Sequence, residues 1–563
     1  MSPSLSQMSA QLKLLTDPFL QLPTENSIRV VWFTEFPGSR HTVTFGYNLE
    51  KSVSANTIKL SRTREDQRSK IGEQTEENII YKQPVVRNIW RHEAEITNLI
   101  PGKRVPYRVT SEREDGESVS SAVFTLAPKP LPGTPVKILL TSDHQLMPMT
   151  AANLQKVIEI IGRVDAVFFA GDLVNVPDRA SEWFDDNRGN AFFPCLQGKA
   201  KYKLVKNENS TIYQGGEIIQ HAPIFPAIGN HEVMGRFSSE TNLSEQFNDP
   251  FPRELAKEIY QKEGEAIDEV KLKNYSFNTD TYEEIFTLPN DSPGGEKYYA
   301  ITIGDVRLVV LFAACMWRSP SLASNIKGKY RESDRDLNNP AAWGYGQHIY
   351  EPIHKGSVQY QWLEKELNST EFQQAKYKVV MLHHPPHTLG DNIVPPFTYP
   401  IQIIEREGDG TIKSIYYQYP KDKDYLIRDI EPLFNAAKVQ FVFFGHCHLW
   451  NRFVNSSGVN FLETSNVGNS YGAALGENKR PVPNTNSENY VATGDPNGLE
   501  PIVPTIVPLV KENEQPLPYI ASNDITVFSI LNTATGTVSS YRFDTREPNS
   551  PVIKFDEFSL QGS

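Results

Sequence analysis

Five apolar, strand-like runs of this chain each end in residues of a kind that binds metal ions. The runs are Lys137–Ser142, Ala166–Ala170, Pro223–Ile228, Lys378–Leu382 and Val439–Phe444. They lead into Asp143, Asp172, Asn230-His231, His383-His384 and the pair His446 and His448. In open α/β sheets, ligands bind beyond the carboxyl ends of the strands, so we expect these side chains to meet at one sheet edge. The pattern predicts an α/β fold that carries a metal site.

The histidines of the chain are concentrated at these strand ends. Seven of the twelve lie there, namely His144, His231, His383, His384, His387, His446 and His448. Carboxylate and imidazole groups, with no thiolate required, suit divalent zinc, manganese or iron. We expect no ligand role for His144, because neighbouring positions of a strand face opposite ways. A single Asp or Asn at a strand end would equally suit a turn, so the prediction depends on the whole set.

Charge and cysteine content exclude several function classes. The net charge of −12 argues against a general nucleic-acid or anionic-membrane binder, although a bound metal ion would still admit a small anionic substrate. Three scattered cysteines are too few for a disulfide framework. Residues 1–22 lack a long apolar run, so we expect no signal peptide and favour the cytoplasm, with export left open. The sequence leaves the oligomeric state undetermined.

The length of 563 residues exceeds what one hydrophobic core fills, so we expect two domains. After a loose leader at residues 1–26, short β runs over residues 27–128 predict an antiparallel sandwich. Its segment Ala94–Tyr107 resembles a corner of a fibronectin type III domain. The proline-rich segment Ala127–Pro135 marks the boundary. Residues 136–560 are predicted as the second domain, with surface insertions at 238–296 and 466–518.

The order of the strand-end motifs points to a family. The set Asp143, Gly171-Asp172, Gly229-Asn230-His231-Glu232, Val380–His383 and Gly445-His446-x-His448 resembles the calcineurin-like metallophosphoesterases. It is most similar to the purple acid phosphatase branch, whose members also carry an N-terminal fibronectin-like domain. The resemblance implies an α/β fold with a β-sandwich flanked by helices (α-β-β-α), preceded by the all-β domain.

The resemblance also implies roles for individual residues. Asp143, Asp172 and His448 would surround one metal ion, and Asp172, Asn230, His383 and His446 the other, with Asp172 as the bridge. The two ions would be iron, zinc or manganese. His231 would orient the substrate and protonate the leaving oxygen, and a metal-bound hydroxide would be the nucleophile. His384 and His387 are further candidates for substrate binding, or lie in solvent beside Pro385-Pro386.

Two positions depart from the purple acid phosphatase pattern. The tyrosine expected three residues after the bridging aspartate is Asn175, so we expect no tyrosinate absorption band and doubt a ferric site. Gln145 stands where many relatives have His or Gly. Gln145 and Asn175 either bind a metal through their amide oxygens or support the residues that do.

The function that the resemblance implies is hydrolysis of small phosphate monoesters of the acid phosphatase kind. A phosphodiesterase acting through the same residues is the alternative. A third hypothesis is a binding protein that kept the fold without catalysis, but the intact ligand set and His231 argue against it.

Overall fold

The short β runs near the start of the chain form an all-β domain of two antiparallel sheets. This computed structural model describes residues 12–71, 81–262, 268–390, 396–484, 487–510 and 515–560. The first sheet has the strand order Phe19–Gln21, Ile28–Thr34, Trp90–Ile96 and Asn56–Lys59. The second has the order Ser118–Ser120, Val105–Glu112, Arg40–Phe45 and Lys51–Ser54, and Phe124–Leu126 also pairs with Val105–Glu112. Trp32, Val43 and Tyr107 contribute to the core that the two sheets share.

The N-terminal segment is more ordered than the sequence suggests. Residues 1–26 are predicted as a loose leader, yet Phe19–Gln21 pairs antiparallel with the strand Ile28–Thr34. The Phe19 ring is fully buried, and its centroid lies 5.0 Å from that of Phe193 in the second domain. Burial of so large an apolar side chain favours an ordered strand over a loose leader.

The second domain contains two large sheets. One has the order Ile224–Pro226, Ala166–Phe169, Lys137–Thr141, Ile525–Asn532, Thr537–Asp544 and Ile553–Ser559. The other has the order Tyr299–Ile303, Val306–Val310, Tyr377–Met381, Phe441–Phe444, Asn460–Thr464, Trp450–Val454 and Tyr519–Ile520. The first three strands of the six-stranded sheet are mutually parallel, as are the four strands from Val306–Val310 to Asn460–Thr464 of the seven-stranded sheet.

Both faces of the seven-stranded sheet are buried. Val379 and Phe441 face the core that is shared with the six-stranded sheet. Val380 and Val442 point the other way, into a second core that includes Leu363 of a covering helix. Because successive side chains of a strand alternate between faces, continuous apolar runs such as these are what a doubly covered sheet requires. The result is a sandwich flanked by helices.

Shorter elements surround the sandwich. The α-helices are Thr150–Ile161, Ala180–Phe184, Phe192–Leu196, Leu243–Phe247, Arg253–Lys262, Glu269–Tyr275, Asp280–Ile285, Val358–Leu367, Thr370–Gln374 and Glu431–Ala437, the last preceded by the π-helical turn Leu426–Ile430. Short 3₁₀ turns occur at Asn230–Glu232, Gly295–Lys297, Asp334–Asp336, Pro340–Ala342, Lys421–Lys423 and Ser487–Asn489. Two-stranded ribbons pair Arg64–Glu65 with Val85–Val86, Tyr202–Lys206 with Asn209–Tyr213, Ile401–Arg406 with Ile412–Gln418, and Leu509–Val510 with Pro516–Leu517.

The two long segments that the sequence predicts as surface insertions both pack against the sandwich. Residues 238–296 contain four of the helices above, and Leu243, Tyr282 and Ile285 are buried. Within 466–518, Ala473 and Tyr490 enter the second core. Within the described ranges, no helix combines the length and the apolarity needed to cross a bilayer. Cys195, Cys315 and Cys447 are buried and form no disulfide.

Candidate metal centre

The five strand ends meet, but they come from two sheets. Three strands of the six-stranded sheet lead to Asp143, Asp172 and Asn230. Two strands of the seven-stranded sheet lead to His383 and His446. The prediction of a single sheet edge is therefore wrong. Because the two sheets pack face to face, their carboxyl ends lie side by side and build one site across the seam.

Ligand-type atoms of six buried residues converge at this seam: Asp143, Asp172, Asn230, His383, His446 and His448. Asp143 Oδ1 lies 3.3 Å from His448 Nε2. His383 Nε2 lies 3.2 Å from Asp172 Oδ2 and 3.1 Å from Asn230 Oδ1. His446 Nδ1 lies 3.1 Å from Asn230 Oδ1 and 3.2 Å from His383 Nε2. The structure therefore brings all six predicted metal ligands together.

Backbone carbonyl groups fix the orientation of two of the imidazoles. His383 Nδ1 lies 2.8 Å from the carbonyl oxygen of Ala170, and His448 Nδ1 lies 2.9 Å from that of Asn469. A carbonyl oxygen only accepts hydrogen bonds, so each Nδ1 carries a proton and donates it. In the neutral ring Nε2 then has a free lone pair, which points at the other ligand-type atoms. Such support is typical of metal-binding histidines.

The backbone is strained where the ligands are presented. Asp143, Asp172, His446 and His448 have φ angles of 55°, 58°, 83° and 57°, and Gln145 has a φ of 39°. Non-glycine residues seldom adopt this left-handed conformation, and each instance costs of order 1–3 kcal/mol. The surrounding fold holds several such residues at one place, which is characteristic of functional sites.

Two glycines next to the ligands are needed for space. A Cβ atom on Gly445 would lie 2.2 Å from Asp143 Oδ2, and one on Gly229 would lie 2.2 Å from Asp172 Oδ1. The left-handed turn after this strand falls on His446, whereas Gly445 leaves room for the Asp143 carboxylate.

Glu232 joins two of the strand ends. Its Oε2 accepts hydrogen bonds from the backbone N–H groups of Asp172 and Gly229, both at 2.8 Å, and its Oε1 accepts one from Leu173 at 2.7 Å. Burial, together with the negative charge of the neighbouring Asp172, raises the pKa of Glu232 to about 8. Glu232 thus fixes the position of Asp172 relative to Asn230 and does not itself face the cavity.

The electrostatics of the centre favour a bound cation. Burial alone would lower the pKa of His383, but the carboxylates of Asp172 and Asp143 raise it to about 10. Burial and the neighbouring His384 and His383 hold the pKa of His446 well below its usual range. One buried histidine is thus driven to carry positive charge while the adjacent one is kept neutral. A metal ion would supply the positive charge that the two carboxylates demand and use the lone pairs of neutral imidazoles.

His231 lies at the edge of the ligand cluster and faces a cavity. Its Nδ1 lies 2.7 Å from the carbonyl oxygen of Asn175, so this nitrogen donates and Nε2 is left available. Its backbone N–H donates to Asp172 Oδ1 at 2.9 Å. The His231 ring stacks on Phe247, with 4.9 Å between centroids and 28° between planes. His231 is therefore held beside the cluster without being one of its converging ligands.

Gln145 and Asn175 occupy different positions. The Gln145 amide nitrogen donates to Asp172 Oδ2 at 2.9 Å, and Gln145 lines the cavity. The Asn175 side-chain amide nitrogen donates to the carbonyl oxygen of Gln145 at 2.7 Å. The backbone carbonyl of Asn175 accepts the hydrogen bond from His231 Nδ1. Gln145 is therefore within reach of a bound ion, whereas Asn175 supports the loop around the ion.

His384 and His387 both lie outside the lining of the cavity. His384 stacks on His446 with 3.8 Å between centroids, and its Nε2 lies 3.1 Å from Cys315 Sγ. His387 Nδ1 lies 2.8 Å from Asp495 Oδ2, and its Nε2 lies 3.3 Å from Glu431 Oε2. Neither residue lines the cavity. The candidate substrate-binding role is thus not supported by their positions, because buried polar and aromatic partners hold both rings.

The cavity in front of the cluster has a volume of about 200 Å³ and a largely aromatic rim. Phe247, Trp317 and Tyr471 line it together with Met316 and Asn248. The Tyr471 ring stacks on His448 with 5.2 Å between centroids. Sequence reasoning missed these residues, since they lie in or beside a short helix and in irregular segments and belong to no motif. The stacking of Phe247 on His231 and of Tyr471 on His448 is visible only in three dimensions.

The residues present fit a metal centre. Two groups of three residues have ligand atoms that all lie within 4.8 Å of one another. One is Asp143 with Asp172 and His383, and the other is His383 with His384 and His446. Oxygen and imidazole donors in this mixture suit zinc, manganese or iron. Asn230 Oδ1 lies 3.1 Å from both His383 Nε2 and His446 Nδ1, so the lone pairs of two neutral imidazoles would face the amide oxygen. A cation between these atoms would satisfy them.

Comparisons with solved structures show the fold. A purple acid phosphatase isolated from yellow lupin (Lupinus luteus) seeds shares 14% identity, with 96% of this chain and 74% of that chain covered and a TM-score of 0.52. A structure of PhoD shares 12% identity, with 99% of this chain and 94% of that chain covered and a TM-score of 0.41. A dimetal phosphatase from Danio rerio shares 12% identity, with 75% of this chain and 99% of that chain covered and a TM-score of 0.32. Both are too distant to inform the site. A search of curated proteins finds no match.

A family model identifies the second domain. The model of the calcineurin-like phosphoesterases matches residues 136–449, which is more than half of the chain and contains all six converging ligands together with His231. The sandwich with its N-terminal all-β domain agrees with the fold that the resemblance implies. The chain therefore belongs to the calcineurin-like phosphoesterase family.

Proposed function

We propose that the chain hydrolyses phosphate esters at a dinuclear metal centre. The observation that carries the proposal is the convergence of Asp143, Asp172, Asn230, His383, His446 and His448 at distances of 3.1–3.3 Å between neighbouring ligand atoms. Asp143 and His448 would hold one ion, and Asn230, His383 and His446 the other. Asp172 lies among them and would bridge the pair, since its negative charge offsets the repulsion between two cations.

Two bound metal ions would supply Lewis-acid stabilisation of the phosphate oxygens and lower the pKa of a water molecule. The chain itself would position and protonate the ester. His231 has one ring nitrogen engaged by the Asn175 carbonyl and the other available on the cavity side. We assign His231 the protonation of the leaving oxygen, a contribution of ~10²–10⁴-fold in rate. Glu232 and the Ala170 carbonyl would keep the ligands oriented.

Phosphate monoesters are the first substrate class that we propose. The layout of an all-β domain followed by the metal domain is shared with the fold of the lupin phosphatase. A second candidate is a phosphodiesterase, and a specific observation favours it. Among the described residues, the cavity lining contains no Lys or Arg that would neutralise the second charge of a monoester dianion. A diester carries a single charge and a second organic group, which the aromatic rim would contact.

The test is a paired measurement on one preparation of the full chain. Metal content is determined by elemental analysis after gentle purification, and turnover is measured with p-nitrophenyl phosphate and bis(p-nitrophenyl) phosphate. We expect about two ions per chain and turnover of at least one ester. Less than one ion per chain would contradict the dinuclear centre. The absence of turnover with zinc, manganese and iron across a range of pH would favour the binding-protein hypothesis instead.

A further inference from the structure

His231 has two supports, and both lead to one carboxylate of the N-terminal domain. The first support is the Asn175 carbonyl, which accepts from His231 Nδ1 at 2.7 Å. The second is Phe247, whose ring stacks on the imidazole. Asn175 and Phe247 are 72 positions apart, one in a loop and the other in the helix Leu243–Phe247. A group that connects this loop and this helix would therefore fix the imidazole from both sides.

The Asn175 loop is held by a buried ion pair. Glu182 Oε2 accepts from the backbone N–H groups of Asn175 at 2.7 Å and Val176 at 2.9 Å. Glu182 Oε1 in turn accepts from Arg179 Nη1 at 2.7 Å. Arg179 Nη2 then reaches Asp66 of the N-terminal domain, at 3.3 Å from Oδ1 and 3.2 Å from Oδ2. A continuous chain of contacts thus runs from Asp66 to the carbonyl that orients His231.

The Phe247 support begins at the same carboxylate. Asp66 Oδ2 accepts from the backbone N–H of Leu243 at 2.7 Å, at the start of the helix Leu243–Phe247. Arg179 Nη2 also donates to Ser244 Oγ of that helix at 3.0 Å. Asp66 therefore contacts both routes directly, one through Arg179 and the other through Leu243.

These charges are buried, which makes the arrangement rigid. Asp66 is 0% exposed, Glu182 3% and Arg179 6%. The backbone supports the contact as well, because Arg64 N–H donates to the carbonyl oxygen of Asp178 at 2.9 Å. Removing one member of a buried ion pair leaves the other uncompensated, so the groups hold their positions strongly. The first domain is thereby locked against the loop that carries the Asn175 carbonyl.

We propose that Asp66 of the N-terminal domain is a positioning residue for His231, acting through Arg179 and Glu182 on one side and through the helix Leu243–Phe247 on the other. This inference rests on the proposed role of His231 in protonating the leaving group. It gives the N-terminal domain a part in the reaction of the second domain, although none of its residues lines the cavity among the described residues.

The test uses the metal-loaded full chain and two esters that differ in how much they need a proton. A poor leaving group such as an alkyl alcohol depends on protonation, whereas p-nitrophenolate leaves readily. Because geometry errors of about 1 Å can cost ~10²-fold in rate, we expect Asp66→Asn to lower kcat roughly 10-fold for the alkyl ester. We expect a smaller loss for the p-nitrophenyl ester, with KM and metal content unchanged.

A double variant separates positioning from general damage. If Asp66 acts through His231, then adding Asp66→Asn to His231→Ala should cause little further loss, since coupled residues are not additive. An equal loss in both backgrounds, or a fall in metal content, would overturn the proposal. Should Asp66→Asn fail to fold, Glu182→Gln carries the same comparison through the shared route.

Arg62→Gln is the matched control. Arg62 also crosses between the domains, with Nη2 at 2.8 Å from Asp280 Oδ2 and Nη1 bonded to Asn274 Oδ1, but within the described ranges neither partner bonds to Asn175 or Phe247. Any loss of kcat in Arg62→Gln should be the same for the alkyl ester and the p-nitrophenyl ester. A larger loss for the alkyl ester in this variant would contradict the proposal. A parent chain without turnover, or full activity in His231→Ala, would instead contradict the proposed function, so the two failures are distinguishable.

Discussion

The metal cluster and the cavity rim are in contact, since Tyr471 stacks on His448, yet they are built in different ways. Each of five cluster ligands follows the end of a buried parallel strand, and carbonyl or carboxylate groups fix several of them. The rim residues Phe247, Trp317 and Tyr471 come from a short helix and from irregular segments. The proposed metal ligands thus lie on the rigid sheets, whereas the residues that would surround the organic group of the ester lie on a short helix and on loops.

The largest expected effect separates ligands from other buried histidines. His448→Ala should remove one ion and most of the activity, because even loss of a group that only supports a ligand costs ~10–100-fold in affinity or activity. His144→Asn is the control, since His144 is equally buried at a strand end but bonds to Thr141 Oγ1 at 2.8 Å. Elemental analysis and turnover measure both variants. Equal metal loss in the two would contradict the assignment of His448.

The next effect tests the boundary between cluster and cavity. His231→Ala should lower kcat by ~10²–10⁴-fold, since it removes the proposed proton donor. Metal content should stay at the parental value, because His231 is outside the group of converging ligand atoms. Turnover and elemental analysis on the same samples distinguish this variant from His448→Ala. If both variants lose metal alike, His231 belongs to the cluster instead.

A smaller effect is expected at the rim. Trp317→Ala should raise KM for aryl esters about 3–10-fold, which corresponds to the ~0.5–1.5 kcal/mol of an aromatic contact. Trp317 is 39% exposed, so the substitution should leave stability and metal content nearly unchanged. Tyr47→Ala, at a 71% exposed aromatic of the first domain, is the control. An unchanged KM for Trp317→Ala would show that the ester does not touch this side of the rim.

The smallest effect on catalysis is expected at His387, which acts on stability and whose partner Asp495 lies in the segment 466–518 that also carries Tyr471. Burial lowers the pKa of His387, but hydrogen bonds to Asp495 and Glu431 raise it to about 9, above the ordinary 6.5. Its contribution to stability is therefore full below pH ~6.5 and is lost as pH rises through about 9, on the order of 3 kcal/mol. Thermal unfolding from pH 6 to pH 10 should show this loss in the parent. His387→Gln should lack it, and an identical pH profile in both would contradict the assignment.

The same contrast explains what the sequence could predict. Apolar runs ending in Asp143, Asp172 or His446 combine strand periodicity with ligand chemistry, and both are local properties of the chain. The union of two sheet edges was not predictable, since the motifs give the order of strands but not the sheet to which each belongs. Phe247 and Tyr471 were missed because their contacts join positions that are distant in sequence. The contacts of His387 were not predictable because its partners Asp495 and Glu431 lie far along the chain.

The placement of the ligands on two sheets has a mechanical consequence. Any sliding of one sheet over the other would separate Asp172 and Asn230 from His383 and His446, whose side chains now touch. A bound ion would then hold the two sheets of the sandwich together. Because a ligand that binds only the folded state stabilises it by mass action, chelation should lower the melting temperature of the second domain as a whole. The metal centre would thus also stabilise the packing of one sheet on the other.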